Sequence, residues 1–345
     1  MNTTKMRFID RALGLPGAVA LLCLAAVFPI FVSDSYALHF LWKILFWAVV
    51  ASAWNIAGGY AGQFSLGHAA FFGIGAYAST ILFVRFGVSP WWGMLVGGVL
   101  AALASVVLAR LTLRLKGPFF ALATIAFAEV LRIVVVNARD LTGGSQGISI
   151  PFKPALETLI FSGRTPYVYT MLILLAAVIL LTFLIQRSWF GFSLLALRED
   201  EDAAETLGVD TVAMKIVATG ISAFLTAIAG VLYAQYILLI EPVTVMGLDF
   251  SIQVAVISII GGMASPVGPL LGALLMVPLS EYLRAEFGGS FQGLYLIIYG
   301  ALLMVMVIFM PQGLVSAIRQ PRSTWARICS ISGYQRKRIR RADHA

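Results

Sequence analysis

Asn55, Tyr60, Gln63, Ser65 and His68 fall within the stretch NIAGGYAGQFSLGH, where every other residue is small or apolar. Such side chains offer hydrogen bonds without fixed charge. That equipment suits holding or passing a polar solute. Gly58, Gly59, Gly62, Gly67, Gly73 and Gly75 crowd the same region, although glycine is the poorest ordinary residue for a helix interior. Further along, Glu129 and Arg132 stand three apart in an apolar run, a spacing that puts both on one helix face and lets them pair. A charge within a membrane span is a functional candidate by default. The pair is therefore either a self-neutralising structural device or a contact for solute.

Patterns that would announce catalysis are missing. There is no G-x-x-x-x-G-K-[ST] phosphate loop, no H-E-x-x-H helix, no paired-cysteine motif and no nucleophile elbow. The expectation is a non-enzyme with no metal and no cofactor, whose own residues do not bind ATP through a phosphate loop. Cys23 lies in an apolar run and Cys329 in a basic tail, so no structural disulfide is expected.

Composition sets the solvent that positions these residues. Of 345 residues 60% are hydrophobic and only 12% charged, and mean hydropathy is +0.93. A soluble domain carries about 25% charged residues, so the fold class expected is an all-α, polytopic integral membrane protein. Crossing roughly 30 Å of hydrocarbon takes about 20 residues. Ten apolar runs qualify: 15–33, 37–57, 66–84, 91–113, 117–137, 167–186, 215–236, 250–263, 267–284 and 291–310. The third is rich in glycine, and the eighth is too short to span alone.

Basic residues orient the spans. With residues 1–14 inside, most of the 24 lysines and arginines fall on inner segments, among them Arg7, Arg110, Arg187, Arg198, Lys215 and the cluster after Pro311. Both termini are then cytoplasmic. The first span resembles a signal peptide in its basic start and small residues at Ser35 and Ala37. Its apolar part is longer than the usual 7–15 residues, which favours a retained span. The tail, 311–345, carries the excess behind the net charge of +8. Directly after a last span, such a cluster suits anionic lipid headgroups, and no nucleic-acid module accompanies it.

Two polar links stand out, 138–166 with its LTGGSQGI turn and the inner segment 187–214. The latter contains LREDEDAAETLGV, a short helix with a polar start at 198–202 and a left-handed stop at Gly208.

Here the residues carry a resemblance. Asp202-Ala203-Ala204, three residues, then Gly208 is similar to the Glu-Ala-Ala-x-x-x-Gly loop of ABC importer membrane subunits, with aspartate in place of glutamate. GGYAGQFSLGHAAFFGIGAYAS, KGPFFALATIAFAEVLR, LTGGSQGI, LREDEDAAETLGV and IIGGMASPVGPLLGA follow one another in the order seen in branched-chain amino acid ABC importer permeases, over roughly 50–315. The chain most resembles the "M" type of the two paired permeases. The resemblance implies a permease domain over 15–310 in a bacterial inner membrane and a second, homologous permease subunit. It also implies two cytoplasmic ATPase subunits docked at Asp202, Ala203, Ala204 and Gly208, and a periplasmic solute-binding protein. Relatives for urea, short amides and aromatic acids share the pattern, so substrate transfers less safely than architecture. An ATP-independent carrier is the alternative from another class; it would need no docking loop.

Read physically, Gly73 and Gly75 suit close helix packing, as do Gly93 with Gly97 and Gly268 with Gly272. Gly58, Gly59 and Gly62 surround Tyr60 and Gln63 at an expected break between spans. There irregular backbone is tolerated where it is buried in protein or lines a watery path. The favoured reading is a midplane or cytoplasm-side turn bordering the pathway, with Asn55, Gly59, Tyr60, Gly62, Gln63, Ser65 and His68 along it. His68 suits a hydrogen-bonded packing role better than a proton carrier. Polar but uncharged groups among alanine, phenylalanine and isoleucine fit a small zwitterion with an apolar side chain.

Overall fold

A computed structural model describes residues 15–287, except 33, 113, 114 and 116, together with 300, 301, 304 and 313–319. The expected span 291–310, the basic tail, Cys329 and residues 1–14 lie wholly or largely outside the described residues. The chain is an all-α membrane protein. Its helices are α1 (Leu15–Phe31), α2 (Ser35–Asn55), α3 (His68–Phe86), α4 (Pro90–Thr112), α5 (Pro118–Asn137) and α6 (Thr165–Arg187). The short α7 (Trp189–Glu199) and α8 (Glu201–Thr206) precede α9 (Thr211–Ile237), α10 (Pro242–Met246), α11 (Leu248–Gly261), α12 (Gly268–Phe287) and α13 (Gly313–Arg319).

Seven segments among the described residues are long and apolar enough to cross a membrane. They are α2 with its extension to Tyr60, then α3, α4, α5, α6, α9, and α10 with α11. The last explains the short eighth run: α11 has 14 residues, and α10 completes a segment of 20 through the break at Gly247. Helix α1 has 17 described residues, at the lower end of what a crossing needs. Helix α12 has 20, with Glu281, Arg284 and Glu286 gathered in its second half.

Local chemistry sets the helix ends. The Asp34 carboxylate accepts from the Ala37 amide at 3.1 Å and caps α2. Pro90 and Pro118 open α4 and α5, where proline's missing N–H is not needed. Gly87, at φ +67°, ends α3 in the left-handed conformation.

Helix α2 is the axis of the bundle. In its most apolar stretch 83% of the residues are buried, against 17% for α5, so α2 is wrapped by protein while α5 lies at the periphery. Around α2 sits an aromatic cluster in which Trp42 stacks on Tyr236 at 3.8 Å between ring centres, and Phe72 packs on Phe250 at 4.4 Å. Helices α3, α4 and α9 meet almost backbone to backbone. A Cβ at Gly75 would strike the Ala227 carbonyl, one at Gly230 the Phe72 carbonyl, and one at Gly97 would lie 3.1 Å from the Gly75 Cα. Without a hydrophobic drive between helices in lipid, such close approach supplies the association. The glycines of the third span therefore serve packing, and α3 runs unbroken from His68 to Phe86.

A two-residue antiparallel ladder, β1 (Ile148–Ser149) with β2 (Leu239–Ile240), ties the long link 138–164 to the end of α9. The opposite end of the bundle carries the link 187–210.

Candidate functional site

The break expected between the second and third spans is present, and its form is specific. Helix α2 widens into a π-turn at Ile56–Tyr60, and residues 61–67 then run without regular structure to His68. π-turns interrupt the ordinary ladder of helix bonds and often mark functional places. Backbone groups freed in this way need new partners, and side chains supply several of them. Trp54 Nε1 donates to the Ser65 carbonyl at 2.7 Å, and Thr124 Oγ1 accepts from the Leu66 amide at 3.0 Å. The Gln63 amide nitrogen donates to the Ala57 carbonyl at 3.0 Å.

Asn55 is fully buried and acts as a clamp. Its Nδ2 donates to the Ser265 carbonyl and its Oδ1 accepts from the Ala264 amide, each at 3.0 Å. It thereby fixes the GMASPVG turn between α11 and α12, where Ala264 holds φ +55°. Gly59 lies in the angle of this clamp: a Cβ there would meet Asn55 Oδ1 and come within 2.7 Å of the Ala264 nitrogen. Gly59 is thus required by close approach.

His68 is also fully buried. Its Nε2 lies 2.7 Å from Ser222 Oγ, while Ser222 Oγ donates to the Ala53 carbonyl at 2.7 Å. Because the single hydroxyl proton of Ser222 goes to Ala53, His68 Nε2 is the donor in their bond. The imidazole bridges α3 and α9 to α2. Ser65 is buried, its hydroxyl accepting from the Gly67 amide at 3.3 Å, and Tyr60 is buried with its hydroxyl unpartnered among the described residues.

The remaining residues of the break face the 187–210 link. The Gln63 side-chain amide lies 2.7 Å from the Thr219 hydroxyl. Gly62 takes φ +68°, and a Cβ there would sit 3.1 Å from Arg198 Cγ. Arg198 Nη1 donates to the Gly59 carbonyl at 3.0 Å. A cavity of about 230 Å³ opens between these parts, lined by Gly62, Gln63, Phe120, Arg198, Glu199 and Lys215 among others. The break and the residues just before the expected dock therefore share one cavity. Arg198 and Thr219 were not singled out as site residues. Arginine at the end of α7 looks like an ordinary basic residue on an inner link, and only the fold brings it under the broken span.

The link itself forms two helices, not one. Arg198 and Glu199 close α7, and Asp200, extended at φ −156° and ψ 112°, separates it from α8. The Asp200 carboxylate accepts from the Ala203 amide at 3.0 Å as the cap of α8. Gly208, at φ +84°, stops α8. Asp202, Ala203 and Gly208 are exposed and Ala204 is buried. Leu207 is 82% exposed, an apolar side chain held out from the tip. An ion pair between Lys215 and Glu201 ties α8 to α9.

Glu129 and Arg132 pair in a fork on α5, Nε to Oε2 at 2.9 Å and Nη2 to Oε1 at 2.5 Å. They lie on the exposed side of α5, whereas Thr124, on its buried face, bonds the break. A second intramembrane pair went unnoticed in the sequence: Lys43 of α2 meets Glu281 of α12 at 2.5 Å. Nothing local signals it, since 238 residues separate the partners.

No group of three or more metal-ligating side chains occurs among the described residues. Apolar spans, a broken helix buried in the bundle and an exposed capped helix at one end define a multi-pass membrane protein. The chain belongs to the family described as the permease component of branched-chain amino acid transport systems, which matches residues 36–307. The high-affinity branched-chain amino acid transport system permease protein LivM of Escherichia coli (strain K12) is 31% identical, covering 87% of this chain and 75% of the relative. The corresponding permease protein LivH of Salmonella typhimurium is 24% identical over 78% of this chain and 91% of the relative. The autoinducer 2 import system permease protein LsrC of Yersinia pestis is 30% identical over 41% of each. No solved structure matches the chain.

Proposed function

We propose that this chain is the membrane-spanning subunit of an ABC importer for branched-chain or closely related apolar amino acids. ATP is hydrolysed by separate subunits, and the chain performs no covalent chemistry. In this reading it sits in a bacterial inner membrane with both termini and the 187–214 link in the cytoplasm. It pairs with a second permease, two ATPases dock at the link, and a periplasmic binding protein delivers solute.

The observation that carries the reading is the direct bond from Arg198 to the Gly59 carbonyl. The exposed α8 offers a dock on which an ATPase subunit can push, with Ala203 and Leu207 outward. Arg198 lies four residues before Asp202 and grips the wall of the broken span. Movement of α7 and α8 then reaches residues 56–67 without an intermediate, and Gly62 and Gln63 respond first. An ATP-independent carrier has no use for an exposed, capped dock wired to a buried break. The glycine turn thereby acts as the receiving element at the cytoplasmic end of the pathway. Asn55, Ser65 and His68 hold its shape.

The solute reading rests on the relatives' names. The autoinducer 2 relative is a permease for an unlike solute, so the experiment must offer alternatives. Reconstituted with its partner subunits and binding protein, the complex should take up labelled leucine only with ATP. Uptake of urea or benzoate without leucine would remove the amino-acid assignment and leave the importer reading. Leucine uptake without ATPase subunits would remove the importer reading.

A further inference from the structure

Helix α5 is the least covered crossing segment among the described residues. Its inner face, Phe120, Thr124 and Ala128, is buried. Its outer stripe, Leu122, Ala126, Glu129, Val130 and Ile133, is exposed. The helix has 20 residues, about 30 Å at 1.5 Å per residue. Glu129 stands eleven residues after Pro118 and eight before Asn137, near the middle of the bilayer. On this otherwise apolar stripe the Glu129 side chain is 48% exposed and that of Arg132 26%.

Charges at that depth face protein or a water-filled space, not lipid tails. The fork occupies Nε and Nη2 of Arg132 and leaves Nη1 without a partner among the described residues. A free guanidinium N–H and unused carboxylate lone pairs call for polar groups beyond the described residues. A mid-bilayer location excludes soluble subunits, which meet the bundle only at its ends. Relatives of this chain include two differently named permeases of one transport system, LivM and LivH, so a membrane partner of the same fold is the occupant with the right chemistry.

We propose that the Leu122–Ile133 stripe of α5 is the face on which the second permease subunit packs, with Glu129 and Arg132 in the seam. The inference rests on the importer reading only for the existence of that second permease. Ala126 is small and lies one turn from the pair, so a helix can approach there closely.

The test uses the full chain with Cys23→Ser and Cys329→Ser, carrying Ala126→Cys, in membranes of its own source. A short bismaleimide should join Cys at that position to a second chain that mass spectrometry identifies as a permease of this family. A nitroxide at the same position should be at least fivefold less accessible to dissolved oxygen than one at Leu103, exposed on α4. Oxygen accessibility equal to that at Leu103, or adducts solely with an ATPase or binding protein, would overturn the proposal. Leucine uptake measured in the same membranes keeps the two readings apart, since transport with a lipid-facing α5 sinks only this one.

Discussion

The guanidinium of Arg198, at the end of α7, donates to the main-chain carbonyl of Gly59 at 3.0 Å, joining a surface link to the last turn of the central helix. This single contact crosses 139 residues of sequence. A charged donor on a carbonyl is among the stronger hydrogen bonds, worth about 1.5–3 kcal/mol. Gly59 is at the same time pinned against Asn55 and Ala264. Force applied at one side is therefore not absorbed by slack at the other.

Arg198→Ala should leave membrane insertion and ATPase association intact while lowering ATP-dependent uptake tenfold or more. ATP hydrolysis by the complex should continue, now uncoupled. Proteoliposome uptake measured beside phosphate release checks this. Hydrolysis and uptake falling in proportion would mean that Arg198 serves assembly instead of transmission.

Docking is tested at the other end of the same lever. Ala203→Arg introduces bulk and charge on the exposed face of α8, and Gly208→Pro forbids the φ of +84° that ends it. Each should abolish uptake and reduce co-purification of the ATPase subunits at unchanged expression. Survival of both activities in both variants removes α8 as the dock.

Gly62 and Gly87 form a matched pair for separating strain from contact. They hold φ +68° and +67°, yet a Cβ at Gly62 meets Arg198 while one at Gly87 meets nothing within 4 Å. Alanine at either should cost about 1–2 kcal/mol from the left-handed conformation alone, visible as similar falls in Tm in detergent. Only Gly62→Ala should also slow uptake. Equal uptake by the two variants would show that the Arg198 contact carries no motion.

Asn55→Ala strips partners from the Ala264 amide and the Ser265 carbonyl, two half-buried main-chain groups. The expected loss is about 1–3 kcal/mol. Asn55→Asp can still accept from Ala264 but turns a carboxyl oxygen onto the Ser265 carbonyl at a fully buried position, so its Tm should also fall below that of wild type. Thermal unfolding of the purified chain decides, and an Asn55→Ala chain with unchanged Tm would refute the clamp.

Glu129→Gln leaves Arg132 as an unpaired cation at mid-bilayer depth, and Arg132→Gln leaves the opposite. Removing one member of such a pair costs far more than replacing both. Each single change should therefore lower the folded yield, and the double change should restore it. A double variant that folds and assembles but transports nothing would place the pair on the solute's route.

Much of this architecture was legible in the sequence because lipid imposes simple demands. Runs of about 20 apolar residues must be helices, since hydrocarbon offers no partner to a bare backbone. Most of the expected spans appear with ends shifted by a few residues, and proline or glycine marks several of those ends. The break before His68 was legible for the same reason, as glycines clustered with polar residues where an unbroken helix would need neither. Asp200 to Gly208 announced a capped helix through the conformational preferences of single residues.

What the sequence could not carry is which groups meet. Asn55 and Ala264, Arg198 and Gly59, and Lys43 and Glu281 are each brought together across 139 to 238 residues. Hydropathy is silent about such pairs, because it records how each residue treats solvent, not which helix lies beside it. The sequence by itself determined that this chain is a helical membrane permease with a broken span and a short capped helix on a polar link. Only the tertiary structure decided that Arg198, just before that helix, touches the break. Backbone contact among α3, α4 and α9 leaves no room for their glycines to carry side chains, and that packing sets the bundle around α2. The Asn55 clamp in turn fixes the broken end of α2 where Arg198 can reach it.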